Sequence, residues 1–312
     1  MKPLLLLCLL LNFTAVTAQE LFIHTEPASN LPKGVLGVRL AANNYSELGT
    51  PRYWTGLSLM YGVSARLMVN VMASASNHHD SKLPKELFSE DGNGQSVHSH
   101  NATRGREYDM RFEGVNLYSK YRIFTLDGTK KHVRLAAYGQ LAVATTAHDE
   151  AEPDLMGDNS GLGGGIVFTQ LIKRFAHSTT IGYIHPFKYT EKSTSSEITS
   201  GNAWSYAFSM GYQIFPLKMK SYKQPGLNIY CEFLGKEYEQ VTLKQNGEAV
   251  NVIGADALLS GSVLDVRPGF QLILNANTRF DVSMAWLVAG KSYARSYPEL
   301  FLKIQHYFYT GK

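Results

Sequence analysis

The clearest pattern in this chain is an alternation of apolar and polar residues over positions 55–75, TGLSLMYGVSARLMVNVMASA. Two alternating segments flank a turn at residues 61–64, and this period of two predicts a β-hairpin. In the second segment one face carries Leu67, Val69, Val71, Ala73 and Ala75. The opposite face carries Arg66, Met68, Asn70, Met72 and Ser74.

The same period recurs to the end of the chain and predicts about twelve strands of about ten residues, the length that a tilted strand needs to cross hydrocarbon. The predicted strands are 35–41, 53–61, 65–76, 111–124, 132–146, 163–171, 177–185, 203–215, 227–234, 264–274, 279–289 and 299–309. No remaining segment looks able to cover their apolar faces, so lipid is the predicted cover. Pro268 cannot donate to a sheet ladder, and we expect a bulge there.

The connectors alternate in length. Five are short or fairly short, at 61–65, 125–131, 172–176, 216–225 and 275–278, and the six between them are mostly longer. This alternation is typical of a single antiparallel up-and-down transmembrane barrel with short periplasmic turns and long outer loops. Aromatic residues near strand ends predict interface girdles; they are Tyr53, Trp54, Phe124, Trp204, Phe215, Trp286, Phe308 and Tyr309.

The first 18 of the 312 residues form a predicted secretory signal peptide, with an apolar run from Leu4 to Leu11 and small residues before Gln19. Residues 19–34 lack a clear period and predict either a periplasmic lead-in or a plug in the lumen, and residues 35–312 are the predicted barrel. The 44% hydrophobic content is ordinary, as expected when lumen-facing residues dilute lipid-facing ones. A net charge of +4 is too mild to argue for nucleic acid. Cleavage would leave Cys231 as the one cysteine and exclude an internal disulfide.

The hairpin at 56–71, with its Tyr-Gly-x-Ser-x-Arg-Leu turn, resembles the strand-turn-strand units of a transporter family linked to meta-pathway phenol degradation. The lead-in TEPASNLPKG, the stretch GDNSGLGGG at 157–165 and the strand LNIYCEFLG at 227–235 resemble an uncharacterised Gram-negative outer-membrane branch near that family. The resemblance spans most of the mature chain. It implies an outer-membrane barrel with a transport role, and it carries no site residue with it.

The inward faces are predicted to be rich in charge. The side chains predicted to line the lumen and contact a solute are Arg39, Arg66, Lys120, Arg122, Arg134, Tyr138, Glu232, Asp265, Arg267, Arg279, Asp281 and Lys303. A surplus of cations in a wet passage would favour acidic or phosphorylated solutes. Alternatively, the charges on the last three strands could pair across a filled interior. A twelve-stranded barrel leaves roughly 12 Å inside, room for one small solute or a folded-in loop.

Other motifs carry weaker hypotheses. His78, His79, His98 and His100 lie in one outer loop, and the next carries His148, Asp149, Glu150 and Glu152; together they could capture a divalent transition metal at the mouth, or they could be ordinary solvated loop residues. The glycines of 161–165 lack the Lys-Ser/Thr of a phosphate loop and predict either a bend or close packing against a large neighbour. His306 would suit a membrane-embedded lipid hydrolase, but no serine partner is clearly placed, and an interface histidine is the preferred interpretation.

We therefore expect an outer-membrane channel or transporter through which small, preferentially anionic solutes diffuse passively. The expected partners are outer-membrane lipid and small solutes, and no nucleic acid, cofactor or enzymatic activity is expected. A structural or surface-binding barrel with a blocked lumen is the alternative, and a lipid hydrolase is the third. The sequence carries no signal for the oligomeric state.

Overall fold

Twelve long strands close into one antiparallel barrel in this computed structural model, which describes residues 21–80, 82, 105–192, 195–218, 221, 223–250 and 256–309. The barrel strands are β1 (Val35–Glu47), β2 (Thr50–Gly62), β3 (Leu67–Ser76), β4 (Arg111–Asp127), β5 (Lys131–Ala144), β6 (Gly161–Ile172), β7 (Phe175–Pro186), β10 (Ala203–Phe215), β11 (Gly226–Tyr238), β14 (Gly261–Leu274), β15 (Thr278–Gly290) and β16 (Glu299–Tyr309). Among the described residues we find no helix with the length and hydropathy of a membrane span. The predicted signal peptide lies outside the described residues.

Consecutive barrel strands are neighbours in space, and β1 pairs with β16 from Val35 opposite Tyr309 to Asn44 opposite Leu300. This last pairing leaves the barrel without an open edge, so every strand finds a partner on both sides. The predicted all-β up-and-down barrel is therefore confirmed, and each predicted strand falls largely within an observed one.

The period of two separates a lipid-type exterior from a polar interior. On β3, Met68 and Met72 are buried inside, whereas Val71 on the other face is 44% exposed. Leu59 and Ile181 are likewise about half exposed on the outer surface. Burying one such side chain away from water is worth roughly 1.5–3 kcal/mol of free energy, and the outer surface carries many apolar side chains. The fold is therefore that of an outer-membrane barrel, with hydrocarbon as the expected cover.

The structure corrects three local predictions. The connector expected between the first two strands is a two-residue turn at Leu48 and Gly49, because β1 and β2 continue well past the predicted ends. The register of β14 against β15 shifts between Leu264 and Asp265 and stays constant on both sides of Pro268, so the bulge is not at the proline. Trp54 faces inward and lines the lumen, because its neighbour Tyr53 takes the outward position.

At the end of the barrel opposite the short turns, which we call the long-loop end, a second sheet forms. Its strands are β8 (Tyr189–Glu191), β9 (Ser196–Thr199), β12 (Thr242–Gln245) and β13 (Glu248–Ala249), in the order β13-β12-β9-β8. Ile198 and Leu243 of this sheet bury against Ala151 and Leu155 of the loop between β5 and β6. The sequence analysis missed this sheet because its strands are only two to four residues long.

Candidate functional site in the barrel lumen

Residues 21–34, which we call the N-terminal segment, run through the inside of the barrel. Glu232 of β11, fully buried, holds the segment by its backbone. Its Oε1 accepts hydrogen bonds from the backbone N–H groups of Ile23 at 2.8 Å and His24 at 2.9 Å. Its Oε2 accepts hydrogen bonds from the backbone N–H of Thr25 at 3.0 Å and from the Thr25 hydroxyl at 2.8 Å. A buried carboxylate needs several such donors to offset its lost hydration.

Other strands hold the segment from around the lumen, so that it crosses from wall to wall. The contacts are Lys303 Nζ of β16 to Ile23 O at 2.6 Å, Lys120 Nζ of β4 to Pro27 O at 2.5 Å, Arg134 Nη1 of β5 to Ser29 Oγ at 2.7 Å, and Ala28 N to Thr169 Oγ1 of β6 at 2.8 Å. Apolar packing supplements them. Phe22 packs edge-on against Tyr230 of β11 with ring centroids 5.6 Å apart, and Ala28 and Leu31 are buried in apolar clusters with residues of the wall.

Glu26 of the N-terminal segment lies between two predicted lumen cations. Its Oε1 is 2.8 Å from Arg39 Nη1 of β1, and its Oε2 is 3.7 Å from Lys120 Nζ of β4. Arg39 also donates from Nε to Gln305 Oε1 at 2.9 Å. The segment therefore brings a negative charge to cations of the wall.

The predicted charges of the last three strands lie together and pair. Arg267 donates from Nε and Nη2 to the two oxygens of Asp265 at 2.9 and 2.8 Å, in the bidentate geometry of strong arginine–carboxylate pairs. Lys303 Nζ is 2.9 Å from Asp281 Oδ2. Arg279 donates to the Tyr307 hydroxyl at 2.8 Å. Arg267 Nη2 also lies 3.4 Å from Glu299 Oε2 of β16, so these contacts together tie β14, β15 and β16 to one another on the lumen side.

Two of the predicted lumen residues, Arg66 and Arg122, lie elsewhere, whereas Tyr138 lies inside the barrel. Arg66 is exposed in the turn before β3, and its carbonyl oxygen accepts a hydrogen bond from Asn30 Nδ2 at 2.6 Å. Arg122 lies near the short-turn end of β4 and donates to Ala65 O at 2.7 Å. Tyr138 lies inside, stacked on Tyr118 with ring centroids 5.4 Å apart. Arg66 and Arg122 therefore lie at the barrel rim.

The glycines of residues 161–165 make room for Tyr138. A Cβ at Gly165 would lie 2.8 Å from the Tyr138 ring, and one at Gly182 of the neighbouring strand would lie within contact of its hydroxyl. The prediction that these glycines allow close packing against a large neighbour is therefore confirmed. Their strand, β6, has no phosphate-loop geometry, since the glycines pair with β5 and β7 in a regular ladder.

The loop between β5 and β6, residues 145–160, folds over the long-loop mouth, and we call it the cap. It is fastened to several barrel strands, mostly through its backbone. The contacts are Asn116 Nδ2 to Leu155 O at 2.9 Å, Trp54 Nε1 to Met156 O at 3.2 Å, Lys236 Nζ to Pro153 O at 2.9 Å and to Glu152 Oε1 at 3.3 Å, and an ion pair between Arg295 and Asp154. Gly157 lies against the wall so closely that a Cβ there would meet Ser74 Oγ at 2.8 Å.

Two cavities lie along the lumen, one on each side of the N-terminal segment. The first, of about 260 Å³, is bounded by Glu26 of the segment, Asp154 of the cap and wall residues that include Arg39 and Arg267. The second, of about 220 Å³, lies toward the short-turn end. Its polar lining includes Ser29, His132, Arg134, Lys173, Arg174, Gln213 and Asn228.

Two of the four histidines predicted to ligate a metal lie in the described part of the chain. His78 and His79 lie beside His148 and Asp158 of the cap, with one ligand atom from each of the four within 4.8 Å of the others. His98 and His100 lie outside the described residues. The sequence pointed to both loops but could not show that they meet, and it gave no signal for Asp158.

Burial and neighbouring charge shift the pKa values of this group. Burial, aided by His78, lowers the pKa of His79. Burial also opposes protonation of His148, but the carboxylates of Glu150, Asp158 and Asp149 outweigh it and raise the pKa of His148 well above its usual value. Burial alone would raise the pKa of Asp158, yet the adjacent histidines hold it well below the usual range. The cluster is thus a strongly coupled set of basic and acidic groups.

His306, the residue that a hydrolase would need, lies on the outer face of β16. Its Nδ1 is 2.8 Å from the Thr278 hydroxyl, and its ring packs edge-on against Phe308. This environment suits a histidine in an interfacial belt.

No protein-family model matches this sequence, and no curated protein sequence matches it. Among solved structures, an outer membrane channel from Pseudomonas putida F1 aligns with a TM-score of 0.59 at 11% identity, over 92% of this chain and 100% of that chain. The NanC porin aligns with a TM-score of 0.45 at 11% identity, over 86% and 97% of the two chains. At such identities the likeness to the P. putida channel shows a shared fold. The resemblance to the phenol-degradation transporter family stays a prediction.

Proposed function

We propose that this protein is an outer-membrane channel that passes small solutes by passive diffusion and is closed at rest by its N-terminal segment. The observation that carries the proposal is the docking of residues 21–34 in the lumen through hydrogen bonds and ion pairs to the wall. In these contacts both the group on the segment and the group on the wall are polar, so water can replace the hydrogen bonds when the segment leaves.

The cavities support a route through the barrel. They lie on opposite sides of the N-terminal segment, and the wall between them carries polar side chains such as Arg134, Asn228 and Lys303. Removal of the segment would join the two spaces into one polar passage toward the cap. The cap is then the second barrier, at the long-loop end.

The charges favour anionic solutes. With the segment in place, Glu26 pairs with Arg39 and Lys120. Its departure would remove that carboxylate and leave both cations facing the passage. Lys173 and Arg174 add positive charge at the short-turn end. Cations concentrated in a narrow passage with low-dielectric walls raise the local concentration of anions. Small carboxylates or phosphorylated solutes are therefore the proposed cargo.

One observation favours a second function, that of a structural or surface-binding barrel with a blocked lumen. The cap and the sheet β13-β12-β9-β8 form an ordered platform at the long-loop end, joined by buried side chains such as Ile198 and Leu155. In that case the N-terminal segment would act as a permanent filler, and the charge pairs of β14 to β16 would serve only to hold the wall together.

Conductance in planar lipid bilayers separates the two functions. We expect the mature protein to show little current and the variant lacking residues 21–34 to show steady, anion-biased openings. Heat-modifiable mobility on gels verifies that both proteins are folded barrels. A folded deletion variant that stays silent would contradict the channel and favour the surface-binding barrel.

A reversible lock tests the same gate without shortening the chain. The hydroxyls of Thr25 and Ser209 lie 2.8 Å apart, so Thr25→Cys with Ser209→Cys in a Cys231→Ser background should form a disulfide between segment and wall. The oxidised protein should be silent, and reduction should restore whatever openings the Cys231→Ser protein shows. Open-channel current that is equally large in the oxidised and reduced states would show that the segment is no gate.

A further inference from the structure

We propose that His78, His79, His148 and Asp158 form a binding site for a divalent transition metal of the zinc type, and that the metal fastens the cap to the barrel wall. The three imidazole rings lie together, with centroids 4.6 to 4.8 Å apart, and the His148 ring stacks on that of His78. One ligand atom from each of the four residues lies within 4.8 Å of the others. Tetrahedral zinc with bonds of 2.0–2.1 Å needs ligand atoms about 3.3 Å apart, so small side-chain rotations would close the shell.

His78 and His79 make hydrogen-bond contacts through Nδ1, and the Nδ1 atom of His148 has a carboxylate beside it, which leaves Nε2 of each ring as the proposed metal-binding atom. His79 Nδ1 lies 2.6 Å from the carbonyl oxygen of Asp80, and His148 Nδ1 lies 2.6 Å from Glu150 Oε1. His78 Nδ1 contacts Ser76 Oγ and lies 3.2 Å from Glu113 Oε1. An acceptor at one ring nitrogen sets the tautomer and directs the lone pair of the other nitrogen, as in most histidine–metal sites. The second shell that such a site needs is therefore present.

The cluster holds polar atoms that protein contacts leave unsatisfied. His148 is 7% exposed, and its Nε2 has no hydrogen-bond partner in the described part of the chain. The same holds for His79 Nε2 and Glu113 Oε2. A buried polar atom without a partner costs about 1–3 kcal/mol, and here several lie together. A cation bound between them would satisfy the nitrogen lone pairs and the carboxylates at once.

The donor set selects the class of metal. Imidazole nitrogens with one carboxylate oxygen suit Zn²⁺, Cu²⁺ or Ni²⁺, whereas Ca²⁺ and Mg²⁺ prefer shells made of oxygen. Asp158, with Glu113 and Glu150 around the histidines, supplies negative charge that balances a divalent cation.

The ligands come from two parts of the chain that meet only in the fold. His78 and His79 follow β3, whereas His148 and Asp158 belong to the cap. A metal bound to both would cross-link the cap to the wall beside β3 and hold the long-loop mouth closed. This inference concerns metal binding and cap mobility, and it stands whether or not the lumen conducts.

The test uses the full mature protein, purified without a histidine tag and stripped of metal with a chelator. Isothermal titration with Zn²⁺ should show one equivalent bound with a Kd of ~1 μM or tighter. His148→Gln and His78→Gln should each weaken binding by at least ~10-fold, since even second-shell changes cost that much. The matched control is His185→Gln, at the same end of the barrel but bonded to Asn202 outside the cluster, and it should bind as the parent does.

Hydrogen exchange reads the effect on the cap. At a zinc concentration that fills the parent site but not the weakened one, zinc should slow amide exchange over residues 145–160 in the parent and in His185→Gln and have little effect there in His148→Gln. Heat-modifiable mobility verifies that each variant is a folded barrel. The proposed site would be overturned if the folded parent bound no zinc, or if His185→Gln lost as much zinc affinity as His148→Gln and His78→Gln. Binding without slower exchange in the cap would overturn the fastening.

Discussion

At the residue scale, single buried carboxylates organise the lumen. Glu232 accepts three backbone N–H groups and the Thr25 hydroxyl, which is a dense set of donors for one side chain. Charged acceptors form hydrogen bonds roughly twice as strong as neutral ones. Glu232 is therefore the residue on which docking of the N-terminal segment depends most.

Replacement of this carboxylate should release the segment. We expect Glu232→Gln to weaken docking of residues 21–34 by about 2 kcal/mol, because the amide keeps one acceptor oxygen and turns an NH₂ group toward backbone donors. The measurement is amide hydrogen exchange over residues 21–34. A loss of about 2 kcal/mol in docking free energy should make this exchange about 30-fold faster.

Glu237→Gln is the matched control, because Glu237 lies exposed on the same strand and makes none of these contacts. Its exchange over residues 21–34 should equal that of the parent. Unchanged exchange in Glu232→Gln would mean that the other wall contacts suffice to hold the segment.

At the element scale, two hairpins show how turn chemistry varies within one chain. The turn between β12 and β13 uses Asn246 and Gly247, and the turn between β1 and β2 uses Leu48 and Gly49. All four have positive φ, at 52° and 86° in the first turn and 48° and 91° in the second. Asparagine tolerates this region, whereas a left-handed leucine carries a steric cost of roughly 1–2 kcal/mol.

Correcting the β1–β2 turn should stabilise the barrel. Leu48→Asn is expected to raise the free energy of unfolding by roughly 1 kcal/mol, measured by urea unfolding in lipid vesicles. The reverse change, Asn246→Leu, should strain its own turn by a similar amount and speed exchange over residues 242–249. A loss of stability in Leu48→Asn would mean that the exposed leucine makes a favourable contact, with lipid or otherwise, that outweighs the strain.

The sequence was informative about elements only where a period runs long enough. Every barrel strand was predicted because alternation over seven or more residues is a strong signal. The N-terminal segment and the cap have no period, so their positions in the lumen and over the mouth could not be read from them. The strands β8, β9, β12 and β13 are too short to show one.

At the scale of the whole molecule, the charged residues of the lumen are divided between the wall and the N-terminal segment. Glu26 belongs to the segment, whereas Arg39 and Lys120 belong to β1 and β4 on the wall. The proposed opening therefore changes the net charge of the passage as well as its width. Under the proposed function, the same contacts would couple selectivity to gating.

The selectivity of the opened barrel should depend on these two cations. In the variant lacking residues 21–34, Arg39→Gln with Lys120→Gln should reduce the preference for anions, because the cations that attract them are gone. Reversal potentials under a salt gradient measure this preference. Lys188→Gln is the control, since Lys188 is exposed and pairs with Glu197 among the outer loops. A reversal potential unchanged by the double substitution would show that other groups set the selectivity.

The sequence by itself determined the fold class, the twelve strands and the face that each strand turns outward, because a strand repeats every two residues and that local period records which side meets lipid. It also placed most of the predicted charged residues on the inner face. Only the tertiary structure decided that residues 21–34 cross the lumen, that the cap folds over the mouth, and that His148 and Asp158 meet His78 and His79. These contacts join residues up to about 280 positions apart, and no local pattern specifies such pairs, because they depend on how the closed barrel brings its loops and its N-terminal segment together.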